Sequence, residues 1–366
     1  MTRGPERDRW LDVSRTLDAD GRGEQQLPEL QRATQGGGAT ATDWQALADM
    51  LYALGHYDEA ADAYARTVDL APDSARNWAL LGEMRALLGR HEEAVTAYQR
   101  ASEVKPRSSR VWSDLANELW YLGCQVEALE SIRQALALDQ RSTTAWMRLG
   151  NIETSLGHLE AATAAYDRSL QLAPDYATAW LNKAELLRLD YQRHQEALVA
   201  YDEALRREPS LARAWTGKGD ALIALQRDNE ALAAYNMALS LGDNRARVWY
   251  NKGSALQHLQ QYDEARVAFR QAVDVGPDIA LLWKGLGDAL YCCRRWQEAQ
   301  DAYDRALALD PFYKDAWRWK IRVLLKRRRV IAAVRALLHA AHVITERQRA
   351  AEAANVGHRS DDGRTP

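Results

Sequence analysis

Apolar and small residues recur along this chain at helical spacing, and the whole pattern then repeats at a fixed longer interval. Trp78, Leu81, Gly82 and Arg85 follow i, i+3, i+4, i+7, and Ala94, Tyr98 and Ala101 follow i, i+4, i+7. This is the spacing of one helix face. Between the two stretches stands Leu88-Gly89-Arg90-His91, where the glycine predicts a left-handed cap that ends the first helix. Each unit is therefore expected to be a helix–turn–helix pair, helix A then helix B. Trp recurs at 44, 78, 112, 146, 180, 215, 249, 283 and 317, at intervals of 34 with a single 35. A fixed period of this size predicts an array of hairpins, each covering its neighbour's apolar face.

Other columns keep the same register. A small residue stands sixteen after each Trp (seventeen in the fifth unit), as in Ala60, Ala94 and Ala128, and a large one four further on, as in Tyr64, Tyr98 and Ile132. Pro72, Pro106, Pro174, Pro209, Pro277 and Pro311 mark the joints between units, where a proline stops the preceding helix. Trp, Leu, Gly/Ala, Ala, Tyr/Phe, Ala and Pro at these intervals resemble the tetratricopeptide repeat (TPR), over roughly residues 41–345. The resemblance implies an all-α fold, a right-handed alpha-alpha superhelix (TPR solenoid) of nine units. Departures are few. Gln140, Asp243 and Thr345 replace the joint proline, and the fifth unit carries one extra residue between Asp190 and His194. The ninth unit has Ile321 at a small position and Lys326-Arg327-Arg328-Arg329 in its turn. A terminal unit has no neighbour, so a polar cap is expected there. Residues 1–40 read either as a flexible segment, from Gly36-Gly37-Gly38, or as a decayed repeat, from Trp10 with Ser14 and Leu17. Residues 346–366 read as a disordered tail.

The columns divide into those that hold the array and those free to bind. The Trp column lies in the middle of the apolar stripe of helix A and is expected in the core. Burying one indole hides ~150–250 Å², a gross gain of about 4–6 kcal/mol. The rival reading, aromatic platforms for nucleic-acid bases, is set aside on that ground. The opposite face comprises the positions two before, two after, five after and nine after each Trp. Its formal charges cancel, so it is no electrostatic funnel for a strongly charged ligand. In the family resembled, this face lines a concave groove that takes extended peptides or partner helices. The resemblance thus implies a partner groove with Asn117, Arg148, Asn151, Asn182, Arg213, Tyr250 and Asn251. Asn carries both a donor and an acceptor, so it can pair with a peptide backbone whatever the peptide's sequence. A chaperone-type carboxylate clamp is rejected. Asn151, Asn182 and Arg213 fill three of its five places, but Met147 and Gly217 stand where cations are required.

Composition narrows the function classes. The chain has 48 Lys+Arg against 51 Asp+Glu, a net −3, with 47% apolar and 27% charged residues. That is an ordinary globular composition, and near-neutrality argues against bulk attraction to nucleic acid or an anionic membrane. No apolar run approaches the ~20 residues of a membrane span, and Met1 to Arg9 carry no apolar signal behind them. Cys124, Cys292 and Cys293 make no disulfide framework, which points to a reducing, cytoplasmic setting. From Pro311 to Arg349 eleven Lys/Arg face two acids. Lys326, Arg327, Arg328 and Arg329 are thus a candidate patch for an acidic partner or RNA, although the segment reads first as a solvated end cap. No catalytic motif, metal spacing or cofactor loop occurs. Arg294 and Arg295 could lower the Cys292 or Cys293 thiol pKa, but no base is placed to use it. The expected function is a non-enzymatic protein-protein interaction scaffold with a protein or peptide partner. The alternatives are a recruitment arm for a separately encoded enzyme and a helical-repeat RNA binder.

Overall fold

The computed structural model describes residues 23–35, 38–190, 193–343 and 345, and every regular element among them is a helix. After α1 (Gly23–Gln35) come α2 (Ala41–Ala53), α3 (Tyr57–Leu70), α4 (Ala75–Leu87), α5 (His91–Val104), α6 (Ser109–Tyr121), α7 (Gln125–Leu138), α8 (Thr143–Ser155), α9 (Leu159–Leu172) and α10 (Ala177–Asp190). The chain continues through α11 (His194–Arg207), α12 (Ala212–Ala224), α13 (Asp228–Ser240), α14 (Ala246–His258), α15 (Tyr262–Val275), α16 (Ala280–Cys292), α17 (Trp296–Leu309), α18 (Lys314–Lys326) and α19 (330–343). Even-numbered helices carry the periodic Trp and are the A helices; odd-numbered ones from α3 onward are the B helices. α10 has 14 residues where α8 has 13, so at least part of the irregular fifth interval falls in helix A. Two compact units divide between Leu186 and Leu187. In each, most consecutive helices pack against one another. α1 begins 34 residues before α3, the place of a helix B, and its Leu27 and Leu30 pack beside Trp44 and Leu47. Trp10, Ser14 and Leu17, like the segment 346–366, lie outside the described residues.

The B-helix aromatics form the core. Tyr64, Tyr98 and Tyr166 in the first unit, and Tyr201, Tyr235, Phe269 and Tyr303 in the second, are all buried. Most of these rings press against a small residue of an A helix. A Cβ added at Gly82 would stand 3.0 Å from the Tyr98 ring, and one at Gly219 2.6 Å from that of Tyr235. The sequence thus accepts a mid-helix glycine, at a cost of ~1 kcal/mol, to seat a ring that hides far more surface.

The Trp column departs from expectation. Trp317 is buried, but Trp44, Trp78, Trp112, Trp146, Trp180, Trp215, Trp249 and Trp283 are half-buried. The physical reason is the indole N–H, which needs an acceptor. Trp78 donates to the carbonyl of Pro72 at 2.8 Å, Trp112 to Pro106 at 2.8 Å and Trp215 to Pro209 at 2.9 Å. Trp146, Trp180, Trp283 and Trp317 make the same bond six residues back. Trp249, whose joint lacks proline, donates to Asn244 Oδ1. These indoles brace helix A against the joint; the Tyr and Ala columns are the core.

The polar cap is also corrected. The last helix is rich in basic neighbours, yet Val330, Ile331, Val334, Leu337 and Leu338 are exposed on it. Charge count along a segment does not fix which side of its helix faces out.

Candidate functional site

In the first unit the exposed face of the A helices is knitted together by side chains. Arg110 on α6 donates to Glu83 of α4 at 3.0 Å and stands 3.4 Å from Asp114. Arg148 on α8 donates to Asp114 at 2.7 Å and to Ser113 Oγ at 2.8 Å. Burial alone would push the Arg148 guanidinium down; Asp114 beside it holds it above its ordinary value. Arg148 therefore stays charged and fixed in place.

The predicted asparagines divide. Asn151 and Asn182 are brought together: Asn182 Nδ2 donates to Asn151 Oδ1 at 2.9 Å, and the same oxygen accepts the Tyr166 hydroxyl at 2.8 Å. The Nδ2 atoms of both residues lie 3.4 Å from Met147 Sδ, where a clamp would need a cation. Asn117 turns aside and donates to Glu118 at 2.9 Å. Glu118 is buried and also meets His91 Nδ1 at 2.7 Å, with the His91 ring stacked on Tyr121.

In the second unit Asp220 is the hub, only 10% exposed. Its Oδ1 accepts the Tyr235 hydroxyl at 2.9 Å and Asn251 Nδ2 at 2.8 Å, while Oδ2 accepts from Arg247 at 2.8 Å. Tyr250 packs edge-on against Phe269, with centroids 5.4 Å apart. Arg213 is exposed on the first turn of α12. Asp288 accepts from Tyr303 at 2.8 Å and pairs with Lys284 at 2.7 Å, yet burial pushes its carboxyl above the usual range.

The carboxylates at the heart of these networks, Asp114, Asp220 and Asp288, are absent from the groove set read from the sequence. The signal was available in the fifteen-residue spacing that places Asp49, Asn151, Asp220 and Asp288 each against its own B-helix tyrosine. At the basic turn, Arg327 donates to Gln300, and Arg328 takes a left-handed φ of 56°. The thiol idea fails electrostatically. Burial and then Asp288 push Cys292 up, and burial and then Asp263 push Cys293 up. Among the described residues no cluster of His, Cys, Asp and Glu could hold a metal, and no helix is long and apolar enough to cross a membrane.

Tandem helix pairs with an interlocked polar A-helix face define a helical-repeat interaction protein. Models of the tetratricopeptide repeat match residues 46–108 and 186–246, 143–186, 246–279 and 280–313, well over half the sequence. The chain belongs to the tetratricopeptide repeat family, and its general class is a protein-interaction scaffold. It is similar to YrrB, a TPR protein with an unusual peptide-binding site, at 22% identity over 52% of this chain and 98% of that one, with a TM-score of 0.48. A thermophilic TPR protein of Thermus thermophilus, TTC0263, is 24% identical over 50% of this chain and 100% of its own, with a TM-score of 0.44. MamA is 23% identical over 44% and 95%, with a TM-score of 0.40. No curated protein matches the chain.

Proposed function

We propose that the repeats over residues 41–345 form a non-enzymatic scaffold that takes an extended peptide segment of a partner protein along the A-helix face. The Asn151–Asn182 pair is the point at which the peptide backbone is held. One observation carries this reading. Asn182 commits its Nδ2 to Asn151, while its Oδ1 meets no donor among the described residues. Asn151 uses its Oδ1 twice, and its Nδ2 faces only the thioether of Met147, a weak acceptor. An open acceptor on one residue thus sits beside an under-used donor on the next. One peptide unit, with its own N–H and C=O, satisfies both.

The neighbouring ion pairs Arg148–Asp114 and Arg110–Glu83 hold the surrounding side chains before a ligand arrives, so little ordering entropy is lost on binding. Leu87 and Tyr121 are exposed on the ends of α4 and α6 and offer apolar contact to the peptide's side chains. Asn117 and Arg148 remain candidates in the same unit, and Arg213, Tyr250 and Asn251 are candidates on the second unit's own A-helix face. Three unpaired cysteines suit a reducing compartment, and we place the protein in the cytoplasm.

The test uses peptides selected from a random display library on the full chain. Asn182→Ala is the clean variant, because it leaves the Asn151–Tyr166 bond intact. Affinity for the selected peptides is expected to fall roughly tenfold, equivalent to ~1.4 kcal/mol, with the melting temperature nearly unchanged. Equal affinity in wild type and variant contradicts the reading.

A further inference from the structure

Two columns change character in α19 relative to the four B helices before it, although Val126 of α7, 65% exposed, is an earlier apolar residue in the first of them. Position 331 of the chain corresponds, one to four repeats earlier, to Gln297, Asp263, Asn229 and Gln195, all exposed polar residues. In α19 it is Ile331, 73% exposed. Position 338 corresponds to Asp304, Arg270, Asn236 and Asp202, but here it is Leu338, 66% exposed. That no described helix follows α19 accounts for the exposure of Leu337, whose column is buried in the other repeats. It does not explain Ile331 and Leu338, because their columns face water elsewhere in the array. With Val330 and Val334 these residues form a continuous apolar stripe at helical spacing.

The stripe has a charged border. Arg328 and Arg329 stand at its start and Arg335 on its flank, and among the described residues none of the three forms an ion pair. All three, with Trp317, Lys320 and Ile331, line a crevice of about 880 Å³ along that border. The crevice's one carboxylate, Asp304, is engaged by Lys320 at 2.6 Å, so an apolar stripe edged by guanidinium groups that form no ion pair among the described residues fits one kind of occupant.

We propose that α19 is a second docking surface, separate from the A-helix face, that receives an acidic amphipathic helix of a partner protein. The partner's apolar face covers Ile331, Val334 and Leu338, and its carboxylates meet Arg328, Arg329 and Arg335. A second copy of the chain docked through the same face would set these arginines against their own counterparts. The segment 346–366 carries four arginines against four acids and so brings no negative surplus. RNA would need exposed aromatic platforms, and the exposed apolar residues of α19 are all aliphatic.

The test is fluorescence anisotropy of the full chain with a labelled synthetic peptide of about five helical turns, Leu on one face and Glu elsewhere. Micromolar binding is expected, weakened roughly tenfold or more by the double variant Ile331→Asp, Leu338→Asp and unaffected by Asn182→Ala. The same peptide with Lys in place of Glu is expected to bind at least as much more weakly. Both substituted side chains are exposed, so the circular dichroism spectrum is expected to match wild type. The proposal is overturned if the acidic peptide does not bind, if the variant binds it equally, or if the Lys peptide binds as well. It is equally overturned if the same substitutions abolish binding of single-stranded RNA or dissolve a dimer in sedimentation, or if the peptide binds only after residues 346–366 are removed. Because the A-helix peptides of the preceding section report on Asn182 and these on Ile331 and Leu338, either surface can fail without the other.

Discussion

The two compact units reach the same hairpin by different local means. In the first, every A helix from α2 to α8 opens with a hydroxyl cap. Thr40, Ser74, Ser108 and Ser142 each accept the backbone N–H three residues on. In the second, α12, α14, α16 and α18 open at Leu211, Arg245, Ile279 and Tyr313 with no side-chain cap. The A–B turns differ in the same sense. The left-handed position belongs to Gly55, Gly89, Gly123 and Gly157 in the first unit, and to Gln226, Gln260, Arg294 and Arg328 in the second. A non-glycine residue there costs about 1–2 kcal/mol. The aromatic residues of the B-helix column, by contrast, are buried in both units, although Leu337 at its last position is exposed. Stacking therefore supplies the fold where local signals lapse, as expected when helices are held chiefly by tertiary packing.

The largest effect should test what the units share. Tyr166→Ala and Tyr235→Ala are each expected to cost ~3–5 kcal/mol in guanidinium unfolding. A value below ~1 kcal/mol for either would show that its unit does not rest on the aromatic column. Next come the local signals, where the units should respond with opposite sign. Ser142→Ala is expected to cost ~1 kcal/mol, and Ile279→Ser to gain up to about that much. Arg294→Gly should likewise raise the melting temperature, whereas Gly157→Ala should lower it. Four shifts of one sign would erase the distinction.

The smallest effect lies within the second unit and separates two aspartates by pH. Asp243, standing at a joint where proline is usual, is held below the usual carboxylate range by Arg245, with Thr216 also donating. Its contribution is present above about pH 4 and is lost as pH falls through the depressed folded value. Asp288 is raised by burial, so the folded state takes up its proton first and gains stability as pH falls through the raised value. As pH falls below about 4, Asp243→Asn should lose less melting temperature than wild type, whereas Asp288→Asn should lose more than wild type between pH 7 and pH 4. Identical pH profiles for all three proteins would contradict both assignments.

Much of this architecture is legible before any coordinates. The period of 34 gives the spacing of the described hairpins, and helical geometry, in which residues three, four and seven apart share a face, gives their buried sides. It also locates glycines such as Gly89, whose φ of 72° matches the expected left-handed cap. The Trp column is misread because burial follows residue type only on average, and the indole N–H seeks a carbonyl at the joint. The polar face is half legible. Its positions follow from the helix, but the partners do not: Arg148 finds Asp114 34 residues away, and Asn251 finds Asp220 31 away. Those contacts depend on how adjacent A helices are offset. The apolar stripe of α19 is less legible for a related reason: its neighbours Lys326 through Arg329 dominate the composition of the segment, while Ile331 and Leu338 stand out only against their own columns.

The most direct test of peptide capture is a titration of the full chain with a library-selected peptide, followed by the side-chain amide NMR signals of Asn151 and Asn182. Capture of a peptide backbone by this pair predicts that both amide signals move together as the peptide binds, saturating at one peptide per chain. Signals that stay in place while the peptide is demonstrably bound would contradict it.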